Sequence, residues 1–168
     1  MRKYYFTAIL SLLMATFLVL TSCGDDDITG ETEKPTSELK AWIEPYHIKG
    51  GTIEDVKGYM GSFMKRYRLE SESQTSDNIQ LAYSTGNVNE GVLYSFSRLD
   101  STLYSVIDTE YIVNSRLIIE YLKKHYTLVT ITSENNLQYC FTTADKATVI
   151  TTMKVSDYYF NVIYSFVL

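Results

Sequence analysis

The feature that most constrains the fold is a series of short runs in which apolar and polar residues alternate at period two. The chain holds 15 tyrosines, many of them in Ser/Thr-rich runs, and tyrosine favours strands. Turn residues such as Gly86-Asn87 and Asp100-Ser101 separate the runs, and connections this short join neighbouring antiparallel strands. The predicted strands are 67–74 (the poorest), 79–84, 91–97, 102–108, 126–132, 137–142, 147–155 and 158–167.

Two segments follow a helical period instead. In the first, Thr52 can cap a helix whose third residue is Asp55. Its predicted apolar stripe is Ile53, Val56, Met60, Phe63 and Met64. The second helix is predicted from Asp108-Thr109 to about Lys124, with basic residues that complement its C-terminal dipole. Its predicted stripe is Val113, Leu117, Ile118, Tyr121 and Leu122.

Each half of the domain is therefore predicted as one helix followed by four strands. Thr52 matches Thr109, and Val56 matches Val113, at an offset of 57 residues, although the offset drifts along the chain and chance similarity stays open. The predicted fold class is α+β: two tandem repeats, about 52–108 and about 109–168, form one antiparallel sheet of about eight strands. Both helices are expected to pack on one face of that sheet.

The N-terminus has the pattern of a secretory signal. Arg2-Lys3 precede an apolar stretch from Tyr4 to Leu20, and Thr21, Ser22 and Cys23 follow it. A small residue directly before a cysteine resembles the site that lipoprotein signal peptidase cuts, so residues 1–22 are predicted to be removed and Cys23 to be lipidated. A transmembrane anchor is the alternative, because 17 residues lie at the lower limit for spanning a bilayer.

Residues 23–40 are poor in apolar side chains and acidic, which predicts a disordered tether. The run Asp25-Asp26-Asp27 resembles the signal that lipoproteins of the Bacteroides group carry after the lipidated cysteine, although a solvated spacer would have the same composition. The resemblance implies a lipid-anchored protein of the outer membrane, exposed on the cell surface, with a periplasm-facing position as the second choice. Residues 41–168 are predicted to form a single domain.

A second resemblance begins after the tether. Trp42-Ile43-Glu44-Pro45-Tyr46, Gly50, Asp55-Val56-Lys57 and Tyr59-Met60 resemble the opening of small surface lipoproteins of the Bacteroides group. In that family's pattern an aromatic residue commonly precedes the glycine, whereas this chain has Ile48-Lys49. The duplicated helix-plus-four-strand unit is similar to the fold of the beta-lactamase inhibitory protein. Neither resemblance implies an activity, because a fold does not determine a function.

Charge and cysteine content narrow the function classes. Residues 41–168 carry a net charge of −3, without a basic cluster, which argues against a nucleic-acid partner. If Cys23 carries lipid, Cys140 has no partner for an intrachain disulfide and is expected to be a small buried apolar residue.

The sequence offers no strong catalytic or metal-binding motif. His47 and His125 are the two histidines, and the nearest pair of carboxylates is Glu70 and Glu72. No spacing suits zinc or calcium, so we expect no catalytic site, no metal and no cofactor. Asp100-Ser101-Thr102 resembles an O-glycosylation signal of exported Bacteroides proteins, which makes Ser101 a possible modification site, although a plain hairpin turn explains it equally well.

The sheet face turned away from the helices is the predicted functional surface. Its predicted apolar members, interspersed with Ser and Thr, are Leu93, Leu103, Ile107, Tyr159 and Ile163. A half-exposed apolar patch usually marks a contact surface. The expectation is therefore a non-enzymatic binding module, anchored in the membrane through Cys23, that recognises a protein or glycan. The alternative is a structural accessory subunit of a cell-envelope assembly, and a core that continues onto this face is also open.

Lipid anchoring can be tested by Cys23→Ala. Without the thiol there is no acceptor for the diacylglycerol. We therefore expect the variant either to keep its uncleaved signal, and with it a higher mass, or to be released from the membrane fraction. Fractionation with intact mass measurement checks this. A variant that stays in the membrane fraction at the mature mass of wild type would contradict lipidation at Cys23.

Overall fold

The computed structural model describes residues 39–87 and 89–167, and these form two helices and one eight-stranded sheet. The helices are α1 (Ile53–Phe63) and α2 (Ser115–His125), and a 3-10 turn (Ile112–Asn114) leads into α2. The strands are β1 (Arg68–Gln74), β2 (Asn78–Ser84), β3 (Gly91–Ser97), β4 (Leu103–Tyr111), β5 (Thr127–Ser133), β6 (Gln138–Thr142), β7 (Thr148–Lys154) and β8 (Tyr159–Phe166). The predicted signal peptide, Cys23 and the predicted tether up to residue 38 lie outside the described residues.

The sheet is antiparallel throughout, in the order β1-β2-β3-β4-β8-β7-β6-β5. Each run of four strands is built from consecutive hairpins, and the two runs meet where β4 pairs with β8. Both helices pack on the same face, so the α+β class, the single sheet and the placement of the helices are confirmed. Within the described part of the chain, neither helix is long and apolar enough to cross a bilayer.

The core lies between the helices and this face of the sheet. Val56 and Met60 from α1 and Ile118 and Leu122 from α2 are buried against it. The sheet contributes large side chains that include Leu81, Tyr94, Phe96, Phe141, Ile150, Phe160, Val162 and Tyr164. Period-two alternation therefore placed the apolar set on the helix-facing side, as the sequence predicts.

Helix α1 begins where the sequence predicts. The Thr52 hydroxyl accepts a hydrogen bond from the Asp55 amide at 3.2 Å, and the Asp55 carboxylate accepts one from the Thr52 amide at 2.9 Å. This reciprocal capping box satisfies two backbone donors that the first turn leaves without partners. Phe63 is the exception in the predicted stripe, because it is 61% exposed at the last turn.

The predicted start of the second helix is wrong. Residues 108–111 continue strand β4, because they pair with Val162 to Tyr159 of β8, and α2 begins only at Ser115. Thr109 therefore does not match the capping role of Thr52, and Val113 is exposed whereas Val56 is buried. The two halves have the same order of elements, but the residue matches at offset 57 do not hold in the helices, and internal duplication stays a prediction.

The segment before α1 is irregular but well packed. Trp42 is buried, its ring meets the edge of Tyr121 at 5.2 Å, and its indole N–H donates to Asp108 Oδ2 at 3.0 Å. Asp108 lies on β4 and is fully buried, with its other oxygen, Oδ1, lacking a hydrogen bond. The segment is thus fastened to the central strand through a buried hydrogen bond.

Trp42→Phe tests this fastening. The variant keeps an aromatic ring but removes the only hydrogen-bond donor that reaches Asp108 among the described residues. Since a buried acceptor without a partner costs about 1–3 kcal/mol, we expect a loss of that order in the free energy of unfolding, measured in urea. Ile43→Ala, at an exposed neighbouring position, should change it by less than about 0.5 kcal/mol. Equal effects of the two substitutions would contradict the role of the indole.

Candidate functional site

The face of the sheet opposite the helices, here called the open face, is not covered by any described element. Backbone register places one row of side chains across it from strand to strand. In strand order the row is Ala82, Leu93, Ile107, Ile163, Thr151 and Cys140. All six are half-buried, so the centre of the open face is a shallow apolar stripe with small polar ends.

Polar rows flank this stripe. On one side, Ser95, Ser105 and Ser165 lie opposite one another on β3, β4 and β8. On the other side Thr109 donates to Asn161 Oδ1 at 2.9 Å, across the β4–β8 junction. The face therefore changes from hydroxyls, through three aliphatic side chains, to a hydroxyl–amide pair.

An aromatic pair closes one end of the open face. The rings of Tyr111 and Tyr159 are cross-strand neighbours with centroids 5.1 Å apart. Burial raises the pKa of Tyr111 to about 12, with a further contribution from its hydrogen bond to Tyr159. The Tyr111 phenol therefore remains a neutral hydrogen-bonding group at physiological pH.

The open face has no ionised side chain on the described strands β2 to β8. Each position that alternation turns to this face on these strands holds Ser, Thr, Asn, Gln, Gly, Tyr, Cys, Met or an aliphatic residue. The charged residues of this face, Arg68 and Glu70, lie on the edge strand β1. The centre of such a surface can make van der Waals contacts and neutral hydrogen bonds.

The structure places four of the five predicted face residues on the open face. Leu93, Ile107, Tyr159 and Ile163 are half-buried there. The prediction for Leu103 is wrong, because its side chain is 2% exposed and belongs to the core. A bulge between β3 and β4 pairs Ser95 with Ser105 but Phe96 with Leu103, and this extra residue turns Leu103 to the helix side.

Ser101 lies at the tip of the β3–β4 hairpin. It is exposed, with a left-handed φ of +56°. Asp100 Oδ1 accepts hydrogen bonds from the amide and the hydroxyl of Thr102, at 3.1 and 2.7 Å, so the turn has its own structural reason. The exposure is compatible with modification of Ser101, which stays a prediction.

The cysteine and the paired glutamates differ in part from expectation. Cys140 is half-buried on the open face, and burial raises the pKa of its thiol. Glu70 and Glu72 do not share a face, because the bulge of β1 falls at Glu70, between Leu69 and Ser71. Glu70 accepts a hydrogen bond from the Ser84 hydroxyl, whereas Glu72 accepts one from Lys57 of α1 at 2.7 Å.

A cluster of buried carboxylates lies on the helix side, and the sequence analysis missed it. Glu110 Oε1 accepts from Arg66 Nη2 and from the Tyr67 hydroxyl, both at 3.0 Å. Arg66 Nη1 also lies 2.8 Å from Glu90 Oε1, close enough for an ion pair but outside hydrogen-bond geometry. With Asp108 nearby, three buried carboxylates share one guanidinium.

This excess of negative charge changes the ionisation of the cluster. Burial raises the pKa of Glu110 to about 7, against the opposing effect of Arg66 and with the support of Glu90. Burial and the neighbouring Glu110 raise the pKa of Asp108 well above its usual value. A cavity of about 380 Å³ lies beside Arg66 and Tyr67, but none of the three carboxylates lines it. The cluster therefore has the geometry of a structural network and not of an open acid–base site.

A second network surrounds Glu44. Tyr126 and Tyr164 donate to its Oε1 at 2.6 and 2.9 Å, and Tyr121 donates to its Oε2 at 3.1 Å. His47 stacks on Tyr164 and lies 3.0 Å from the Tyr126 hydroxyl. Burial, followed by the charge of Glu44, raises the pKa of Tyr121 to about 12. The network ties the N-terminal segment to α2 and β8.

Metal binding finds no support in these clusters. Among residues 39–87 and 89–167, no three His, Cys, Asp or Glu side chains are grouped so that they could hold a metal ion.

A scan against protein-family models and searches of curated proteins and of solved structures found no match.

The raised pKa of Glu110 predicts a pH dependence of stability. Between about pH 4.5 and about pH 7 the folded protein holds a proton that the unfolded chain releases, so the free energy of unfolding should fall as pH rises through this window. A shift of this size corresponds to on the order of 3 kcal/mol. Chemical unfolding at a series of pH values measures it.

Glu110→Gln should reduce this slope, because the amide keeps the acceptor for Arg66 and Tyr67 but cannot release a proton. Glu134→Gln, in the exposed β5–β6 turn, serves as the matched control and should keep the slope of wild type. An unchanged slope in Glu110→Gln would show that Glu110 does not titrate in this range.

Proposed function

We propose that the protein is a lipid-anchored, non-enzymatic binding module whose open face docks the surface of a partner protein. The observation that carries the proposal is the uncharged open face, with Leu93, Ile107 and Ile163 at its centre. Charged residues are depleted at the cores of protein interfaces, and apolar residues there are bordered by polar ones. The open face has the same arrangement, with aliphatic side chains at its centre and hydroxyl and amide groups on either side.

The dimensions of the open face also favour a protein. Eight strands at their usual spacing and seven residues of strand length give a surface of roughly 34 by 23 Å, or about 780 Å². A standard protein interface buries about 800 Å² on each partner. A glycan would gain most from aromatic platforms and from charged or amide groups. On the open face the Tyr111–Tyr159 pair and the amides, which include Gln80 and Asn161, lie outside the central aliphatic stripe.

The position of the module follows from the N-terminal sequence. Lipidation of Cys23, followed by the acidic segment up to residue 40, would hold the domain near the outer membrane, at the cell surface as the resemblance to Bacteroides lipoproteins implies. The first described residues pack on the helix side through Trp42, away from the open face. This arrangement would leave the open face accessible to a partner while the chain is anchored.

Ser165→Lys tests the open face. Ser165 is half-buried beside Ser105, so the substitution adds an ammonium group to the face without removing an apolar side chain from the core. We expect a loss of partner binding of about 30-fold or more, the size of a hot-spot effect. The matched control is Glu120→Lys on the exposed side of α2, which should bind like wild type.

The partner for this assay is found with the full chain in the producing cells. A photoreactive residue replaces Ser105 on the open face or, as a control, Arg116 on α2, and crosslinked proteins are identified by mass. An adduct specific to Ser105 and lost in Ser165→Lys supports the proposal. Equal adducts from both positions contradict it, and glycan binding that Ser165→Lys abolishes, without a protein adduct, would assign the face to a glycan. An adduct that copurifies in fixed stoichiometry would favour a structural accessory subunit.

A further inference from the structure

The sheet formed by residues 39–87 and 89–167 has two free edges, and they differ in chemistry. Strands β1 and β5 are the outermost strands, and each pairs with a described neighbour on one side only. A free edge presents backbone N–H and C=O groups that can pair with another strand, and proteins usually protect such edges with charges, bulges or covering elements.

Edge strand β1 is protected by charge. It contains Arg68, Glu70 and Glu72, and all seven of its residues are exposed. If β1 paired antiparallel with β1 of a second copy about its central Ser71, two glutamates from each chain would meet at the middle of the junction. Glu72 is bound to Lys57 and Glu70 to the Ser84 hydroxyl, and a second strand at this edge would have to desolvate these charged groups. The charged residues of β1 therefore discourage self-pairing.

Edge strand β5 has no such protection. Its seven residues, Thr127 to Ser133, are Thr, Leu and Val, then Thr, Ile, Thr and Ser, so none is charged and most favour strands. Leu128, Val129 and Ile131 are 40%, 59% and 39% exposed, which is unusual for three aliphatic residues on one strand. Bulges occur in both β1 and β5, so charge, and not regularity, distinguishes the two edges.

Charges beyond the ends of β5 favour one orientation of a partner strand. Lys124 precedes the strand at the end of α2, and Glu134 follows it, both of them exposed. In an antiparallel pair of two β5 strands centred on Thr130, the Glu134 end of one copy lies next to the Lys124 end of the other. A parallel pair would bring like charges together instead.

We propose that β5 pairs antiparallel with β5 of a second copy of this chain, which joins two eight-stranded sheets into one continuous sheet. A two-fold axis through the centre of the strand makes the junction self-complementary, as homodimer interfaces are. Residues 41–168 carry a net charge of −3, and β5, like the open face, has no charged residue, so pairing at this edge brings no like-charged strand residues together. This edge is separate from the open face, and the pairing does not depend on what binds there.

Disulfide crosslinking of the full chain in membranes of the producing cells tests the pairing. Cys140 is replaced by Ser first, because it lies opposite Thr130 on β6 and would capture a new thiol within the same chain. In that background, Thr130→Cys should give a linked product of twice the monomer mass on mild oxidation. Ser71→Cys at the middle of β1 is the matched control and should give at least tenfold less.

A charge variant then separates strand pairing from chance collision. Val129→Glu is exposed and should leave the thermal unfolding midpoint unchanged while it reduces the Thr130 crosslink at least tenfold. The proposal is overturned if Thr130→Cys gives no linked pair, if Ser71→Cys gives as much, if Val129→Glu has no effect, or if the linked product has the mass of a different protein.

Discussion

The pairing of β4 with β8 is the interaction on which the rest of the structure depends. It joins seven residue pairs, from Ser105 with Ser165 to Tyr111 with Tyr159, and it is the contact that turns two four-stranded runs into one sheet. On one side it completes the core, where Val106, Val162 and Tyr164 lie beneath the helices. On the other side it brings Ile107 and Ile163 together at the centre of the open face. A single backbone ladder therefore sets both the stability and the proposed binding surface.

Three of the eight buried polar residues in the described part of the chain lie at this junction: Asp108, Glu110 and Asn161. Asp108 and Glu110 point from β4 to the helix side, where Trp42 and Arg66 bind them from two different parts of the chain. Neither carboxylate is fully hydrogen-bonded, and each removes stability that an apolar residue would have given. Their contribution is geometric, since they fix how the N-terminal segment and the end of α1 lie against the central strand.

Local patterns in the sequence predicted most of the fold, because alternation, turns and a capping box are properties of neighbouring residues. The eight strands, α1 and its Thr52 cap follow from such patterns. What failed depends on distant partners: residues 108–111 were predicted to be helical and became strand because β8 pairs with them. Leu103 changed sides through one bulge. The networks around Glu44 and Glu110 join residues more than 40 positions apart, and no local signal identifies them.

The strand order has a consequence for how the molecule is made. β8 is the last strand in chain order, and more than 40 residues separate it from β4. During synthesis, one edge of β4 therefore stays unpaired until these residues have been made. β4 has nine residues, many of which favour strands, so its unpaired edge could pair with another chain. A foreign strand that paired with β4 in this interval would take the place of β8 and prevent the two four-stranded runs from joining. The partners of the buried carboxylates of β4, Trp42 and Arg66, precede it in the chain, so the helix side of β4 can be completed before its last neighbouring strand is made.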